Sequence, residues 1–237
     1  MAEGVRLVEE AHRCGALIEW ATATETDDSR AEALVEQLTG HTSVYITGRD
    51  SLANLLDTSM PQGVAAVCRI PETSLETLEL PKRALVVICD SLRDPGNFGA
   101  VVRTASAAGC AAVIAAGESV DPWNPKAVRG SMGGVFRLPV VEAGSADELA
   151  GFLKEKGFSV FLADMRGENL FAIGGFPARS ALIIGGEAEG AGRFTAGLES
   201  QAVSIPMASG AESLNAAVAA GIAIYHVYPR LGGRRAN

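Results

Sequence analysis

The sequence predicts an α/β protein with two domains, and three observations lead to this prediction. Strand-like and helix-like runs alternate from residue 84 to residue 228. The run 84–89 is apolar on both faces, as in the buried strands of a parallel sheet. The polar segment 71–81 is bounded by prolines and separates this part from a smaller α/β unit. We therefore predict domains at residues 1–75 and 84–237, joined by a linker at 76–83.

The smaller domain is predicted to alternate three helices with three strands. Its first helix has the apolar residues Val5, Leu7, Val8 and Ala11 on one side and charged residues elsewhere. The predicted helices are at 5–13, 31–38 and 52–57, the last with Ser51 as its N-cap. The predicted strands are at 16–23, 44–47 and 64–70.

The larger domain is predicted to be an open, mostly parallel sheet with helices on both faces. Its strands are expected at 84–89, 111–116, 159–163, 181–184 and 202–205. Its helices are expected at 99–108, 146–156 and 213–228, with a long loop and one short helix in 121–137. No internal repeat with a period of 20–50 residues is present.

The charge is uneven along the chain of 237 residues, whose formal net charge is −8. Residues 1–83 contain 7 Lys and Arg against 14 Asp and Glu, and residues 84–237 contain 13 against 14. An acidic protein of this kind is not a general nucleic-acid binder. A local basic group nevertheless falls in and after the first motif, so RNA contacts would be few and local. It consists of Arg93, Arg103, Lys126, Arg129 and Arg137.

Several other features indicate a cytoplasmic protein without a metal centre. The first ten residues are acidic and amphipathic, unlike a signal peptide, and no apolar run reaches the ~18 residues needed to span a bilayer. The four cysteines are widely scattered, without a CxxC motif, which favours reduced thiols. The three histidines are too far apart in sequence to suggest a metal site.

The first motif contains Asn97 and Arg103, six residues apart. We expect Asn97 in a turn and Arg103 on the following helix, so that both could face one pocket. Arg103 lies in an apolar stretch, where an arginine seldom lies without a partner. It could form a structural ion pair, extend along the surface, or contact a phosphate or ribose.

The second motif is Gly185-Gly186-Glu187, which follows a buried strand. Glycines at this position allow the backbone to approach a flat ligand closely, although the same residues also close ordinary turns. The pattern does not match GxGxxG, which argues against a dinucleotide-dependent oxidoreductase.

The third motif runs from the end of one strand to the start of a helix. Ile205 and Met207 end the strand, and Ser213 is predicted to cap the helix that continues through Leu214 and Asn215. The amides and dipole of the helix N-terminus would then point into the same pocket.

A fourth segment, 124–139, is basic. Its Lys126 and Arg129 could contact RNA phosphates, or the segment could be an ordinary basic loop.

Together, the order, spacing and residue types of these four segments resemble the SpoU (TrmH-like) branch of the SPOUT RNA methyltransferases. Members of that branch transfer a methyl group from S-adenosylmethionine to a ribose 2′-hydroxyl of RNA. The resemblance is dense over residues 84–228, where one difference is Gly130 in place of the usual Ala. Over residues 3–70 it is looser and is similar to a ribosomal-protein-like RNA-binding domain, without the usual basic segment before Glu3.

The resemblance implies a SPOUT-type α/β-knot catalytic domain with a deep trefoil knot, preceded by a small α/β substrate-binding domain. It also implies a homodimer in which helix 213–228 packs against its partner near the cofactor. The cofactor is S-adenosyl-L-methionine. The implied catalytic residues are Asn97, Arg103, Glu187, Ser213 and Asn215. The implied cofactor-binding residues are Gly185, Ile205, Met207 and Leu214. The implied RNA-binding residues are Arg93, Lys126 and Arg129.

Ribosomal RNA is the favoured substrate, because a two-domain layout in this branch is found more often with ribosomal than with transfer RNA. The alternatives are a transfer RNA 2′-O-methyltransferase and a relative that binds RNA or cofactor without catalysis. A non-catalytic relative should have lost some of the five implied catalytic residues, and all five are present. The Asn97 and Arg103 pair argues against a base methyltransferase.

Overall fold

The chain forms two units, Met1–Pro71 and Glu72–Asn237, in a computed structural model. The structure describes residues 1–25, 28–56, 62–186, 194–209 and 212–233. Within these ranges, no helix combines the length and hydrophobicity required to cross a membrane.

The first unit has a sheet in the order β1-β4-β2-β3, in which only β2 and β3 are parallel. Its strands are β1 (Ala2–Glu3), β2 (Ile18–Ala23), β3 (Ser43–Ile46) and β4 (Val64–Cys68), and its helices are α1 (Val5–Arg13), α2 (Ser29–Thr39) and α3 (Arg49–Leu56). Helix α1 buries the apolar side predicted for it. Ser51 lies inside α3 and does not cap it, because the helix begins earlier, with the Leu52 amide donating to the Gly48 carbonyl.

The second unit has a sheet of six described strands, all parallel, in the order β10-β8-β9-β5-β6-β7. The strands are β5 (Ala84–Asp90), β6 (Ala112–Ala116), β7 (Val140–Glu142), β8 (Ser159–Asn169), β9 (Arg179–Gly185) and β10 (Gln201–Ser204). The helices are α4 (Pro95–Ala108), α5 (Pro125–Gly130), α6 (Gly134–Arg137), α7 (Ala146–Glu155) and α8 (Ala216–Val227). The predicted α/β class with a parallel sheet is confirmed.

Both faces of this sheet are covered. All seven residues of β5 are buried, and Val86 and Ile88 pack in one core cluster with Leu149 and Phe152 of α7. The intervening residues of β5 point to the opposite face. There, α4 contacts β6 and α8, and α8 contacts β9. A strand buried on both sides has no polar face, which explains the continuous apolar run in the sequence.

The segment predicted as a linker, 76–83, differs in the structure. The second unit begins at Glu72, and Leu75 and Leu78 are buried in its core cluster, with Leu80 packed against it. The leucines are spaced among polar residues, so the segment is polar on average while its apolar side chains are buried.

Helix α4 begins four residues earlier than predicted, at Pro95. Asp94 caps it by accepting a hydrogen bond from the Asn97 amide at 2.7 Å, and proline is well suited to the first turn. Asn97 therefore lies in the first helical turn and not in a preceding loop. The predicted loop at 121–137 contains two short helices, α5 and α6.

Helices α4 and α5 approach closely at two glycines. A Cβ atom added to Gly99 would lie 2.4 Å from the Ala127 carbonyl oxygen and 2.9 Å from the Gly130 Cα. A Cβ added to Gly130 would lie 3.4 Å from the Gly99 Cα, which is ordinary van der Waals contact. Of these two positions, only position 99 therefore needs a glycine for the two helices to approach this closely.

We expect Gly99→Ala to lower the free energy of unfolding by about 1–3 kcal/mol, because α4 and α5 must separate to accept the methyl group. Gly130→Ala is the matched control and should change it by less than about 1 kcal/mol, since the helix gains a better helix former without a clash. Urea unfolding of both variants measures the difference. Equal stability of the two variants would contradict the close approach.

Candidate active site

A cavity of about 550 Å³ opens where strands β9 and β10 end, beside β8. In parallel sheets this edge is the usual location of ligand sites. The wall is mainly apolar, with Ile184, Val203, Leu170, Ala219 and Ala223 among its residues. Hydroxyl groups come from Thr195, Ser200 and Ser213, and charged groups from Asp164 and Arg166.

Five of the predicted site residues line this single cavity. They come from two motifs: Gly185 from the second, and Ile205, Met207, Ser213 and Leu214 from the third. Gly185 is the last residue of β9, and Ile205 directly follows β10. The adjacent strand ends therefore bring together residues that are up to 29 positions apart in the sequence.

Part of the wall comes from an interruption of the pairing between β8 and β10. Ala202 pairs with Leu162, but the next residue, Val203, pairs with Glu168, so residues 163–167 leave the ladder. This excursion contributes Asp164 and Arg166 to the cavity lining. It was not predicted, because strand β8 was expected to end at Ala163.

Asp164 and Arg166 form a two-bond ion pair on the excursion. The Arg166 Nε and Nη2 atoms donate to the two carboxylate oxygens at 3.1 and 2.9 Å. The side-chain hydrogen bond from Arg166 is the main cause of a lowered pKa for Asp164. The cavity rim therefore carries a fixed negative and a fixed positive charge side by side.

Helix α8 is capped by Asn215 and not, as predicted, by Ser213. The Asn215 Oδ1 atom accepts hydrogen bonds from the amides of Ala217 and Val218 at 3.0 and 3.2 Å. Its Nδ2 atom donates to Asn97 Oδ1 at 2.9 Å. Asn215 thus links the third motif to the first, beside the lining residue Leu214, while Ser213 remains exposed at the cavity.

Arg103 is offset from Asn97 around helix α4, and that both side chains face one pocket stays a prediction. Because both residues are on the continuous helix α4, six positions turn their side chains about 120° apart around the axis. Arg103 is exposed, and no hydrogen bond or ion pair links it to another described residue. Glu187, the remaining predicted catalytic residue, lies outside the described residues.

The predicted RNA-binding residues are all exposed. Arg93 pairs with Glu118, and the Lys126 Nζ lies 3.8 Å from an Asp94 carboxylate oxygen. Lys126 and Arg129 are both on α5, which packs against α4. Lys126 and Arg129 therefore lie on a helix that contacts α4, the helix of Asn97 and Arg103.

Two family models match the chain. One, described as the SpoU rRNA Methylase family, matches residues 84–225. The other, described as RNA 2′-O ribose methyltransferase substrate binding, matches residues 1–74.

Among known proteins, the chain is similar to the 23S rRNA (guanosine(2553)-2′-O)-methyltransferase RlmP of Bacillus subtilis, with 34% identity over 96% of this chain and 87% of that protein. The SpoU methyltransferase AviRb from Streptomyces viridochromogenes, crystallised with AdoMet, has a TM-score of 0.84 and 30% identity, covering 94% of this chain and 87% of that one. The AdoMet-bound rRNA methyltransferase from Sinorhizobium meliloti has a TM-score of 0.82 and 27% identity, covering 95% and 85%.

These matches confirm the resemblance that the four motifs indicated. The family model spans more than half of the chain, and the match to the Bacillus subtilis relative covers 96% of it. The chain belongs to the SpoU rRNA methylase family.

Proposed function

We propose that the protein transfers a methyl group from S-adenosylmethionine to a ribose 2′-hydroxyl of ribosomal RNA. The observation that carries this proposal is the single cavity lined by five residues predicted from separate motifs, with the Asn97–Asn215 pair next to it. The relatives from Bacillus subtilis and Streptomyces viridochromogenes are named as 23S rRNA 2′-O-methyltransferases, which favours ribosomal over transfer RNA.

The cavity fits a nucleoside-sized methyl donor. Its volume of about 550 Å³ is within the range of small-molecule sites. The apolar side chains of Ile184, Val203, Ile205 and Leu214 suit an adenine ring, and the hydroxyl of Ser213 can bind a polar edge. When bound there, S-adenosylmethionine supplies a methyl group activated by its sulfonium charge.

Asn97 and Asn215 are proposed to hold the substrate ribose. Their amides are fixed to each other and to the first turn of α8, so they form a rigid polar surface beside the cavity. The N-terminus of α8 also favours the negative charge that the ribose oxygen carries once its proton has passed to solvent. That oxygen then forms a bond to the methyl carbon as the carbon–sulfur bond breaks, and S-adenosylhomocysteine leaves as a neutral thioether. Fixed orientation of this kind can contribute ~7 kcal/mol or more to lowering the barrier.

Arg103 and Glu187 have different places in this proposal. A guanidinium does not readily lose a proton, so Arg103 is proposed to hold an RNA phosphate and to stabilise the developing alkoxide. Its exposed position on α4 is compatible with a ligand that approaches from outside. Glu187 is proposed to organise the catalytic loop, a role carried only by the family resemblance.

The RNA is proposed to contact Arg93, Lys126 and Arg129 through its phosphates, since phosphate contacts position a nucleic acid without reading its sequence. Residues 1–75 are proposed as the substrate-binding domain, supported by the family model that matches residues 1–74. Their acidic net charge limits the contribution of long-range attraction, so shape and local contacts would dominate.

A homodimer and a trefoil knot are also proposed for the catalytic domain. Val218 and Tyr225 are 52% and 57% exposed, and their spacing of two helical turns places them on one side of α8. A second copy that covers this side would bury apolar surface next to Leu214 of the cavity. The trefoil knot rests on the family resemblance alone. Cytoplasmic location stays a prediction.

Incubation of the protein with tritiated S-adenosylmethionine tests the function directly. We expect the label in ribosomal RNA and not in transfer RNA, and nucleoside mass spectrometry should identify a 2′-O-methylated ribose. Mapping of 2′-O-methyl groups in cells with and without the gene then gives the nucleotide. Label only in transfer RNA, or on a base, would exclude the proposed substrate.

Arg103→Ala should lower turnover about 100-fold or more, as is typical for loss of a group that stabilises developing charge. The affinity for S-adenosylmethionine should be nearly unchanged, because Arg103 does not line the cavity. Single-turnover kinetics and calorimetry measure the two effects. Normal turnover of this variant would refute the assignment, and Arg103→Lys reports how much of the effect is charge alone.

Asn215 is expected to have a structural and a catalytic role that two substitutions separate. Asn215→Ala removes the cap of α8 and should cost about 1 kcal/mol of stability as well as activity. Asn215→Ser keeps a capping oxygen but is too short to bind Asn97, so it should retain the melting temperature and still lose turnover. Full activity of the serine variant would contradict the ribose-holding role.

A further inference from the structure

Asp90, the last residue of β5, has a carboxylate that is buried without a cation among the described residues. It is 0% exposed, and it was not among the predicted site residues. Its Oδ2 atom accepts hydrogen bonds from the Thr195 amide at 3.0 Å and from the Thr195 hydroxyl at 2.6 Å. Its Oδ1 atom accepts one from the Ser91 hydroxyl at 2.9 Å. A buried carboxylate is costly unless it is satisfied in this way.

A glycine beside this carboxylate leaves room for it. Gly117 has a φ of 61°, and a Cβ atom added to it would lie 2.9 Å from Asp90 Oδ1 and 2.7 Å from Ser91 Oγ. A side chain at position 117 would therefore collide with the carboxylate and with Ser91, while the hydrogen bonds from Ser91 and Thr195 orient the carboxylate. Thr195, which binds through two donors to one oxygen, is fixed in both place and rotation.

Thr195 belongs to the wall of the cavity, together with Ala196 and Ser200. Its carbonyl oxygen accepts a hydrogen bond from the Leu198 amide at 3.0 Å, which closes a turn leading to Ser200 and strand β10. The backbone carbonyl of Asp90 also accepts a hydrogen bond from the Gly186 amide at 3.0 Å. Gly186 lines the cavity next to Gly185, at the end of β9. One residue thus binds two separate parts of the wall.

We propose that Asp90 is a positioning residue for the methyl-donor cavity. It fixes the part of the wall at Thr195 relative to the part at Gly185 and Gly186. This inference rests on the proposed function, since it takes the cavity to be the site of the donor. Asp90 touches neither donor nor RNA. It acts through Thr195, whose orientation sets the positions of Ala196 and Ser200.

The test compares Thr195→Val with Thr195→Ser in the full chain. Valine keeps the shape and the backbone donor but removes the hydroxyl donor to Asp90, whereas serine keeps it. We expect Thr195→Val to weaken S-adenosylmethionine binding about tenfold in calorimetry and to raise its KM similarly, with kcat at saturating donor changed much less. Thr195→Ser should restore binding to nearly the wild-type value.

Thr22→Val is the matched control. Thr22 is a buried threonine of the first unit, and its hydroxyl forms a hydrogen bond with the Thr47 hydroxyl at 3.0 Å. It should change the melting temperature without changing donor affinity. A Thr195→Val variant that loses melting temperature but binds the donor normally would overturn the proposal, as would a serine variant as weak as the valine one. If the wild-type protein itself fails to bind the donor, the proposed function fails instead.

Discussion

The parallel pairing of β5 with β9 is the constraint on which the site depends. The two strands pair in register over seven residues, from Ala84 opposite Arg179 to Asp90 opposite Gly185. This register places the end of the first motif's strand beside the glycines of the second motif. A slip by one residue would move every side chain of β5 to the opposite face and take Asp90 away from Gly185, so the pairing fixes the site as well as the core.

Most strands of the second unit could be predicted because a buried strand needs a short, continuous run of apolar residues. Residues 84–89 of β5 are apolar without interruption, and residues 181–184 of β9 have the same character, so both appear as short segments too apolar for a surface strand. Helix α1 of the first unit was equally clear, because its apolar residues repeat with the helical period. The order of the strands in the sheet was not predicted, since it depends on pairing between distant segments.

The local errors have a common cause, which is that tertiary partners decide between residues with similar propensities. Ser213 and Asn215 are both good N-caps, and the structure uses Asn215, which also reaches Asn97. Helix α4 begins at Pro95 because Asp94 caps it. An aspartate followed directly by proline is itself a sequence signal for a helix start. The earlier start matters for the site, because it places Asn97 and Arg103 on one continuous helix.

The excursion of β8 gives the pocket a part that can change independently of the fold. Five residues leave the ladder after Leu162, and pairing resumes between Glu168 and Val203 with the strands still parallel. Insertions or substitutions within such a bulge are absorbed locally, so they leave the sheet intact. Evolution could therefore retune donor recognition at this rim while the knot-forming scaffold proposed for the family stays constant.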